Sequence, residues 1–502
     1  MSDFRVNRRR LLQAGGASVL GALGVGSATA TDVAATNGGA DPLWTVEPGG
    51  AVRSSPTVVD GVVYVGSDDA SVYALDTASG DELWTVDADR PVESSPQAVD
   101  GAVYVGTGSE PVFGFGSGTG SVYALDGATG DAFWTVGTDG PVESSLTVAD
   151  GTVVVGVSGG DGGLDAPGEP SGPGLFALSA TAGEELWSFG VDRVVSSPTV
   201  VDETVYVGIG GSVSALSLDD GEELWSVGVG GAVESSPTVA GGVVYVGSGD
   251  GSLYALSTAD GEELWSVDTG SPVRSSPTVV DGVVYVGAGS SAAEAGIGST
   301  VAEGAGGLFA LEAASGEKLW SVGTGGAVES SPTVAGEVVY VGSGDGSLYA
   351  LSTADGETLW TVETGGPVRS SPTVVDGVVY VGSSDGTIYA LSAVDGGGAE
   401  SSAGSRVQLG TLGHHDEWAD QAPTALFTHE PANPGVEEPV TFDATRTSGE
   451  IASYEWDFTG DGTTDAGGET VTHSFETVGE HEVRLTATDT NGETTTATRT
   501  VS

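Results

Sequence analysis

One phrase recurs eight times between Trp44 and Leu391: a Trp, then a Ser-Ser pair usually followed by Pro, then Val-Tyr-Val-Gly, then Tyr-Ala-Leu, with small variations. The tryptophans are Trp44, Trp84, Trp134, Trp187, Trp225, Trp265, Trp320 and Trp360, 38 to 55 residues apart. A unit of that length, built of short alternating apolar runs, cannot bury its own faces and must stack on its neighbours. Four short strands per unit, arranged radially, satisfy that demand, so the repeat predicts an all-β, eight-bladed β-propeller.

The copy starting at Pro272 reads strand by strand. Pro272 to Val280 is the expected first strand, Asp281-Gly282 a two-residue hairpin turn and Val283 to Gly287 the second strand. Leu308 to Leu311 and Leu319 to Val322 are the third and fourth, separated by Ser315-Gly316. The recurring Trp is expected to fill the wedge between blades, where a wide aromatic buries the most apolar area. The chain enters the pattern with a lone fourth strand, Leu43 to Val46, and after Tyr389-Ala390-Leu391 runs to Asp395-Gly396 with no Trp at the repeat's spacing. The N-terminal strand is therefore expected to complete the last blade and close the ring, leaving no open seam between first and last blades.

Charge and termini bound the setting. The chain has 71 acidic and 14 basic residues, a formal charge of −57, and Lys318 is its one lysine. Self-repulsion on that scale is tolerated where salt shortens the screening length to a few ångströms, about 3 Å at molar salt. A salt-adapted, haloarchaeal type of surface is the expectation, and with no basic groove nucleic acid is excluded as a partner. Arg8-Arg9-Arg10-Leu11-Leu12, a weakly apolar stretch from Ala14 to Gly26 and Ala28-Thr29-Ala30 fit a twin-arginine signal over residues 1–30, followed by a short linker at 31–41. No run reaches membrane-spanning length. Cysteine is absent, which removes disulfides, thiol nucleophiles and thiolate metal sites. The expected product is a monomer, extracellular or at the cell surface, partnered by protein or polysaccharide.

Composition changes after the repeats. Residues 396–422 read as a flexible linker; its His414-His415-Asp416-Glu417 is a weak metal-ligand pattern because adjacent side chains rarely converge on one ion. Residues 423–502 carry about seven strand-like runs, which imply an immunoglobulin-like sandwich. Within it, Tyr454-Glu455-Trp456-Asp457-Phe458-Thr459-Gly460-Asp461-Gly462, Val471 to Phe475 and Gly479 to Val483 resemble polycystic-kidney-disease (PKD) domains. The resemblance implies an extracellular spacer or adhesion module. Asp457, Asp461 and Asp465 are candidate calcium ligands through their carboxylate oxygens, with turn formation as the alternative role.

The repeats themselves, with Asp-Gly in the second turn (Asp250-Gly251, Asp345-Gly346, Asp385-Gly386), resemble the pyrroloquinoline-quinone (PQQ) family of propeller repeats over 42–395. That family holds quinoprotein dehydrogenases, which bind PQQ with calcium, and non-catalytic scaffolds such as the lipoprotein propeller of outer-membrane assembly. The dehydrogenases carry adjacent cysteines and large insertions bearing catalytic carboxylates; this chain has no cysteine, and five of its copies are nearly bare repeats. No catalytic residue carries across by position, and the fold alone assigns no activity. All five histidines lie outside the repeats, which leaves the propeller no imidazole base.

Two features break the eightfold sameness. The residue before each Ser-Ser pair runs Arg53, Glu93, Glu143, Val195, Glu234, Arg274, Glu329, Arg369, expected to form a ring at one mouth of the channel. Such a ring either pairs its charges between blades or presents its arginines to an oxyanion. Three insertions, Thr107 to Gly120, Val157 to Gly174 and Ala288 to Gly307, all lie between second and third strands, so they are expected on the same face. The reading that follows is a binding or scaffold protein using that face, with a PQQ- and calcium-dependent alcohol or sugar dehydrogenase as the alternative.

Overall fold

A computed structural model of the chain describes residues 42–108, 119–158, 173–191, 194–289, 306–393, 428–430, 439–444, 451–459, 463–475, 481–489 and 494–501. The chain divides into two compact units, Met1–Asp416 and Glu417–Ser502. In the first, eight four-stranded antiparallel sheets follow one another, each built from consecutive strands except the last. That last sheet takes Thr373–Val375, Val378–Gly382 and Ile388–Ser392 from the end of the repeats and Pro42–Val46 from their beginning. Trp44 stands opposite Ala390 and Val46 opposite Ile388, so the eight-bladed ring is closed by its N-terminal strand.

The strands follow the sequence pattern with one informative departure. The first strand of each blade is only three residues, as in Thr278–Val280, because one Ser of the preceding pair bonds across the seam and the other to its own second strand by its hydroxyl, instead of along a ladder. Asp281-Gly282 makes the expected tight turn, with φ of 49° and 76°. The fourth strand carries a β-bulge before its Trp: Ala74 faces Trp84 but Leu75 faces Glu82, leaving Leu83 as the extra residue, 52% exposed. A bulge there bends an outer edge that would otherwise template further pairing.

What joins blade to blade is written in the repeated residues. The first Ser of each pair accepts the N–H of the Val-Gly glycine in its own second strand, as Gly247 to Ser235 at 3.0 Å. The second Ser accepts the backbone N–H of its counterpart one blade back, and these bonds run from Ser55 through Ser95, Ser145, Ser197, Ser236, Ser276 and Ser331 to Ser371 and back to Ser55. Seven threonines add a bond from their hydroxyl to the carbonyl of the next blade's Pro, for example Thr199 to Pro237 at 2.7 Å. The Val-Gly glycine is fixed by contact: a Cβ on Gly106 would lie 2.2 Å from Val142 Cγ1 of the next blade.

At the outer radius the Trp does the equivalent work. Its indole N–H reaches a turn carbonyl of the next blade, as Trp84 to Gly127 at 2.8 Å, and the second-strand residues Tyr64, Tyr104, Tyr245 and Tyr380 donate to the same oxygen as the neighbouring Trp, Tyr64 at 3.1 Å. The ring lies over a glycine of that turn; Gly221, beneath Trp187, has φ of 72° and no space for a Cβ. Trp84, Trp187 and Trp360 are buried and the other five are half-buried. Trp360 differs from the rest: its indole nitrogen is buried without a hydrogen-bond partner.

The second unit pairs Thr428–Glu430, Val440–Asp443 and Thr470–His473 in one sheet and Ala466–Gly467, Ile451–Asp457, His481–Asp489 and Thr494–Val501 in another. Trp456 and Phe442, both fully buried, centre its core. This is the expected sandwich, with strand ends within a few residues of the pattern.

Because the Val142 methyl occupies the space over Gly106, Gly106→Ala is expected to destabilise the propeller by about 1–3 kcal/mol through overpacking. Adding Val142→Ala should restore part of the loss in a double-mutant cycle read by thermal melting. Independent, additive losses would show that the two residues do not meet.

Candidate functional site

The ring residues stand just before the Ser-Ser pairs, at the end of the propeller that carries the fourth-to-first and second-to-third connections. Each described arginine of the ring is held by a carboxylate. Arg53 Nη1 lies 2.8 Å from Glu93 Oε1 and 2.6 Å from Asp68 Oδ2, Arg274 Nε 2.6 Å from Glu234 Oε2, and Arg369 Nε 2.7 Å from Glu329 Oε2. Arg274 and Arg369 reach back to the preceding blade, whereas Arg53 reaches forward. Arg369 and Arg53, neighbours in the ring, therefore turn away from one another, as like charges should.

On the other side of Arg53 the charge is reversed. Burial pushes the Glu93 carboxyl above its ordinary range, opposed by Arg53 and reinforced by Asp68 and Glu143. Asp68 rises for the same first reason, with Arg53 pulling it down and Asp69 pushing it up. Arg53 thus neutralises a crowded carboxylate group. Three guanidiniums against four glutamates and Asp68 leave the mouth net negative. The arginine side chains keep 23 to 39% of their surface exposed, so the pairs contribute modestly to stability, on the order of 1 kcal/mol each.

The insertions join this end. Their flanking residues bond to the segments that carry the ring: Gly108 N–H to Pro91 O, Ser158 N–H to Pro141 O and Gly289 N–H to Pro272 O, each at 3.0 Å. Residues 109–118, 159–172 and 290–305 lie outside the described residues. Where no insertion intervenes, the Asp of the second turn is structural. Asp69, Asp250, Asp345 and Asp385 each accept the hydroxyl of the Tyr four residues on, at 2.6 to 2.8 Å. In the second blade, whose turn is replaced by an insertion, Asp89 from the preceding connection takes that place against Tyr123 at 2.9 Å.

Seam two-to-three breaks the polar pattern, and sequence reading missed it. Gln97 stands where seven blades have the bonding Thr, and Leu146 where the partner Pro would be. Gln97 is 0% exposed, and neither its Nε2 nor its Oε1 has a partner. The signal was present in the repeat as the one double departure from the Thr and Pro positions.

In the second unit, Asp457 and Asp465 meet at Thr459. The Thr459 hydroxyl lies 3.3 Å from an oxygen of each, Asp457 accepts the Thr459 N–H at 3.0 Å, and Asp465 accepts the Phe458 N–H at 2.8 Å. Asp461 lies outside the described residues, as do His414 and His415. Among the described residues no group of three or more His, Asp or Glu is arranged to hold a metal ion. Beside this turn, Phe458 stacks on His473 at 4.2 Å and Phe475 on His481 at 4.2 Å.

Residues 26–120, 112–210, 209–304 and 304–399 match the family model described as outer membrane protein assembly factor BamB. The chain belongs to the BamB family of propeller-repeat proteins. Residues 420–502 match the PKD domain. BamB from Moraxella catarrhalis is similar in structure with a TM-score of 0.54, at 19% identity, over 70% of this chain and 99% of that one. The designed protein Ika8 gives 0.54 at 20% identity, over 69% and 97%. The quinohemoprotein alcohol dehydrogenase of Comamonas testosteroni gives 0.51 at 19%, over 71% and 76%. At such identities the likeness is one of fold. Collagenase ColA of Clostridium perfringens (strain 13 / Type A) is 48% identical over 60 residues, 11% of this chain. The chain spans 5% of that collagenase's length. A PQQ-like propeller joined to a PKD domain fits a scaffold or binding protein.

Two outcomes test this geometry. Gln97→Thr combined with Leu146→Pro installs the missing seam bond and removes a buried unsatisfied amide, so the melting point should rise, by about 1–3 kcal/mol of stability; a fall would mean that the buried amide is already satisfied. His473 is held below its ordinary 6.5 by burial, opposed by Asp465 and reinforced by His481. The unfolded chain then binds the proton more readily, so stability from this site is present above about pH 6.5 and is lost as pH falls through the depressed value. Hydrogen exchange over residues 481–489 of the intact chain should quicken in that window, and His473→Phe should abolish the acceleration.

Proposed function

We propose that the chain is an exported, salt-adapted binding or scaffold protein of the cell surface. It acts through the propeller face bearing the charged ring and the insertions, with the PKD domain as an adhesion or spacer module. One observation carries this reading. The residues common to the blades, Ser-Ser, Thr, Trp, Tyr and the turn Asp, are consumed in building the blades and joining them, while the ring charges and insertion flanks gather at one end. A rigid scaffold with its variation on one face is built to present that face. Arg8-Arg9-Arg10-Leu11-Leu12 supports twin-arginine export, and the charge of −57 supports a salt-rich exterior. The partner class is protein or polysaccharide, bound by one copy of the chain.

PQQ with calcium, the cofactor set of the alternative dehydrogenase reading, does not fit the described residues. The ring carboxylates beside the arginines are engaged in ion pairs, and no group of three or more described His, Asp or Glu side chains is arranged to hold a metal ion. No catalytic step is derived through it.

The test uses the mature chain, residues 31–502, in molar salt, added to cells lacking the gene. Saturable binding is expected for the wild type. A variant whose three insertions are replaced by the short turn Gly249-Asp250-Gly251 should melt normally but lose that binding. Substituting Arg53, Arg274 and Arg369 with Gln separates ring from loops: retained binding with a lower melting point assigns the ring to architecture, and lost binding at unchanged stability assigns it to the ligand. Wild-type binding by the loop-trimmed variant would remove this face from the reading. Stoichiometric uptake of PQQ with alcohol oxidation would replace it with the quinoprotein one.

A further inference from the structure

The opposite end of the propeller carries the first-to-second and third-to-fourth turns, and it differs from the mouth in charge and in shape. Among the described residues of the propeller, Arg53, Arg90, Arg274 and Arg369 all lie in the fourth-to-first connections, and Lys318 is the one cation at the other end. Six first-to-second turns there place an Asp (Asp60, Asp100, Asp150, Asp202, Asp281 and Asp376) in the left-handed region, with φ between 47° and 54°. A general acidic surface accounts for charge of this kind. It does not account for a cavity.

Between the last and first blades, on this end, a cleft of about 580 Å³ opens to solvent. Buried Val58 and Tyr380 contribute to its lining, Val375 adds apolar wall, Ala78 and the paired turns of Asp60 and Asp376 border it, and no basic residue lines it. Tyr380 is fixed by the seam: its hydroxyl donates to Thr77 O at 3.3 Å, the same oxygen that takes the Trp44 indole N–H at 2.9 Å. Tyr380 is pushed up to about 12 by burial and then by Asp376 and Asp76, which places both carboxylates within electrostatic reach of the buried hydroxyl. The volume falls within the range of small-ligand sites, about 300–1,000 Å³.

We infer that this cleft receives a lysine or arginine side chain of a partner polypeptide, its aliphatic stem against Val58, Val375 and Tyr380 and its cation between Asp60 and Asp376. Long basic side chains bury their methylenes on apolar surface while the charged head stays at the rim. A cleft that is apolar inside and doubly acidic at its border complements that shape and charge. An anionic partner, lipid or nucleic acid, is repelled by the same border. The site is separate from the looped face, so its failure and the failure of that reading are distinguishable.

The test is fluorescence anisotropy of a labelled lysine- and alanine-containing peptide on the intact chain, across a salt titration, with a melting curve for every variant. Asp60→Asn with Asp376→Asn removes the border charge without disturbing backbone that Asn also tolerates. Affinity should fall about fivefold, the order for two partly exposed ion pairs. Asp150→Asn with Asp281→Asn removes the same charge from the same end and should change affinity less than about twofold. Ala78→Phe fills the cleft without altering charge and should also weaken binding. Equal losses in the two Asp pairs would reduce the effect to the general acidic field and overturn the site. So would full affinity in Ala78→Phe, or the absence of saturable binding.

Discussion

The contact on which this propeller depends is the seam between consecutive blades, and its tightest point is a valine packed where a glycine has no side chain. The pairs Gly66 with Val92, Gly106 with Val142 and Gly382 with Val52 repeat that contact around the ring. Each lies beside a hydrogen bond between Ser residues of adjacent blades. Glycine lets the backbones approach, and the approach brings the Ser hydroxyl to the neighbouring N–H. Every blade meets two neighbours, so the first and last blades are unsatisfied until the ring closes, and the N-terminal strand completes the last sheet. Closure is then a consequence of the same contact: the bond from Ser371 to Ser55 matches the other seven.

Much of this was legible in the sequence, because the fold is repeated and repetition separates architecture from accident. Trp at one position, Asp-Gly at another and an unaccompanied fourth strand at the start were enough for blade number and closure. The roles of the Ser-Ser pair were not legible. Its first hydroxyl serves its own blade and its second the next, a division that depends on the direction of two adjacent side chains. That division is also why Pro272 to Pro277 is not strand: Arg274 and Ser276 bond to neighbouring blades and Ser275 to its own second strand, and the regular ladder begins only at Thr278.

The ring shows a different limit. Its position at the mouth follows from its place before the Ser-Ser pairs, and opposite charges in neighbouring blades make pairing expected. Which glutamate each arginine takes does not follow. Arg369 takes Glu329 and Arg53 takes Glu93 because the two arginines are themselves neighbours, and Asp68 draws Arg53 away further. Such a choice is settled by charges from three segments at once, among them the second turn of Arg53's own blade, which carries Asp68. Gln97 marks the same boundary from the other side, since its departure is plain in the repeat while its cost, a buried amide with no partner, belongs to the packed seam.

The consequence for function is one of exclusion within the repeat. A Ser hydroxyl that accepts a backbone N–H in a seam, or a Tyr hydroxyl that donates to an Asp or a turn carbonyl, is not available as a nucleophile or acid without opening the contact it holds. Tyr64, pushed up to about 12 by burial with Asp60 and Asp126, keeps its proton across the physiological range and uses it on Gly127 O. Chemistry or recognition in such a molecule has to use groups whose hydrogen bonds the eight seams do not consume. At one end these are the uneven charges and the flanks of the insertions; at the other they are the turn aspartates Asp60 and Asp376 bordering the cleft, whose apolar wall is the seam itself. The charged groups sit where the chain turns, so they can vary without loosening a seam.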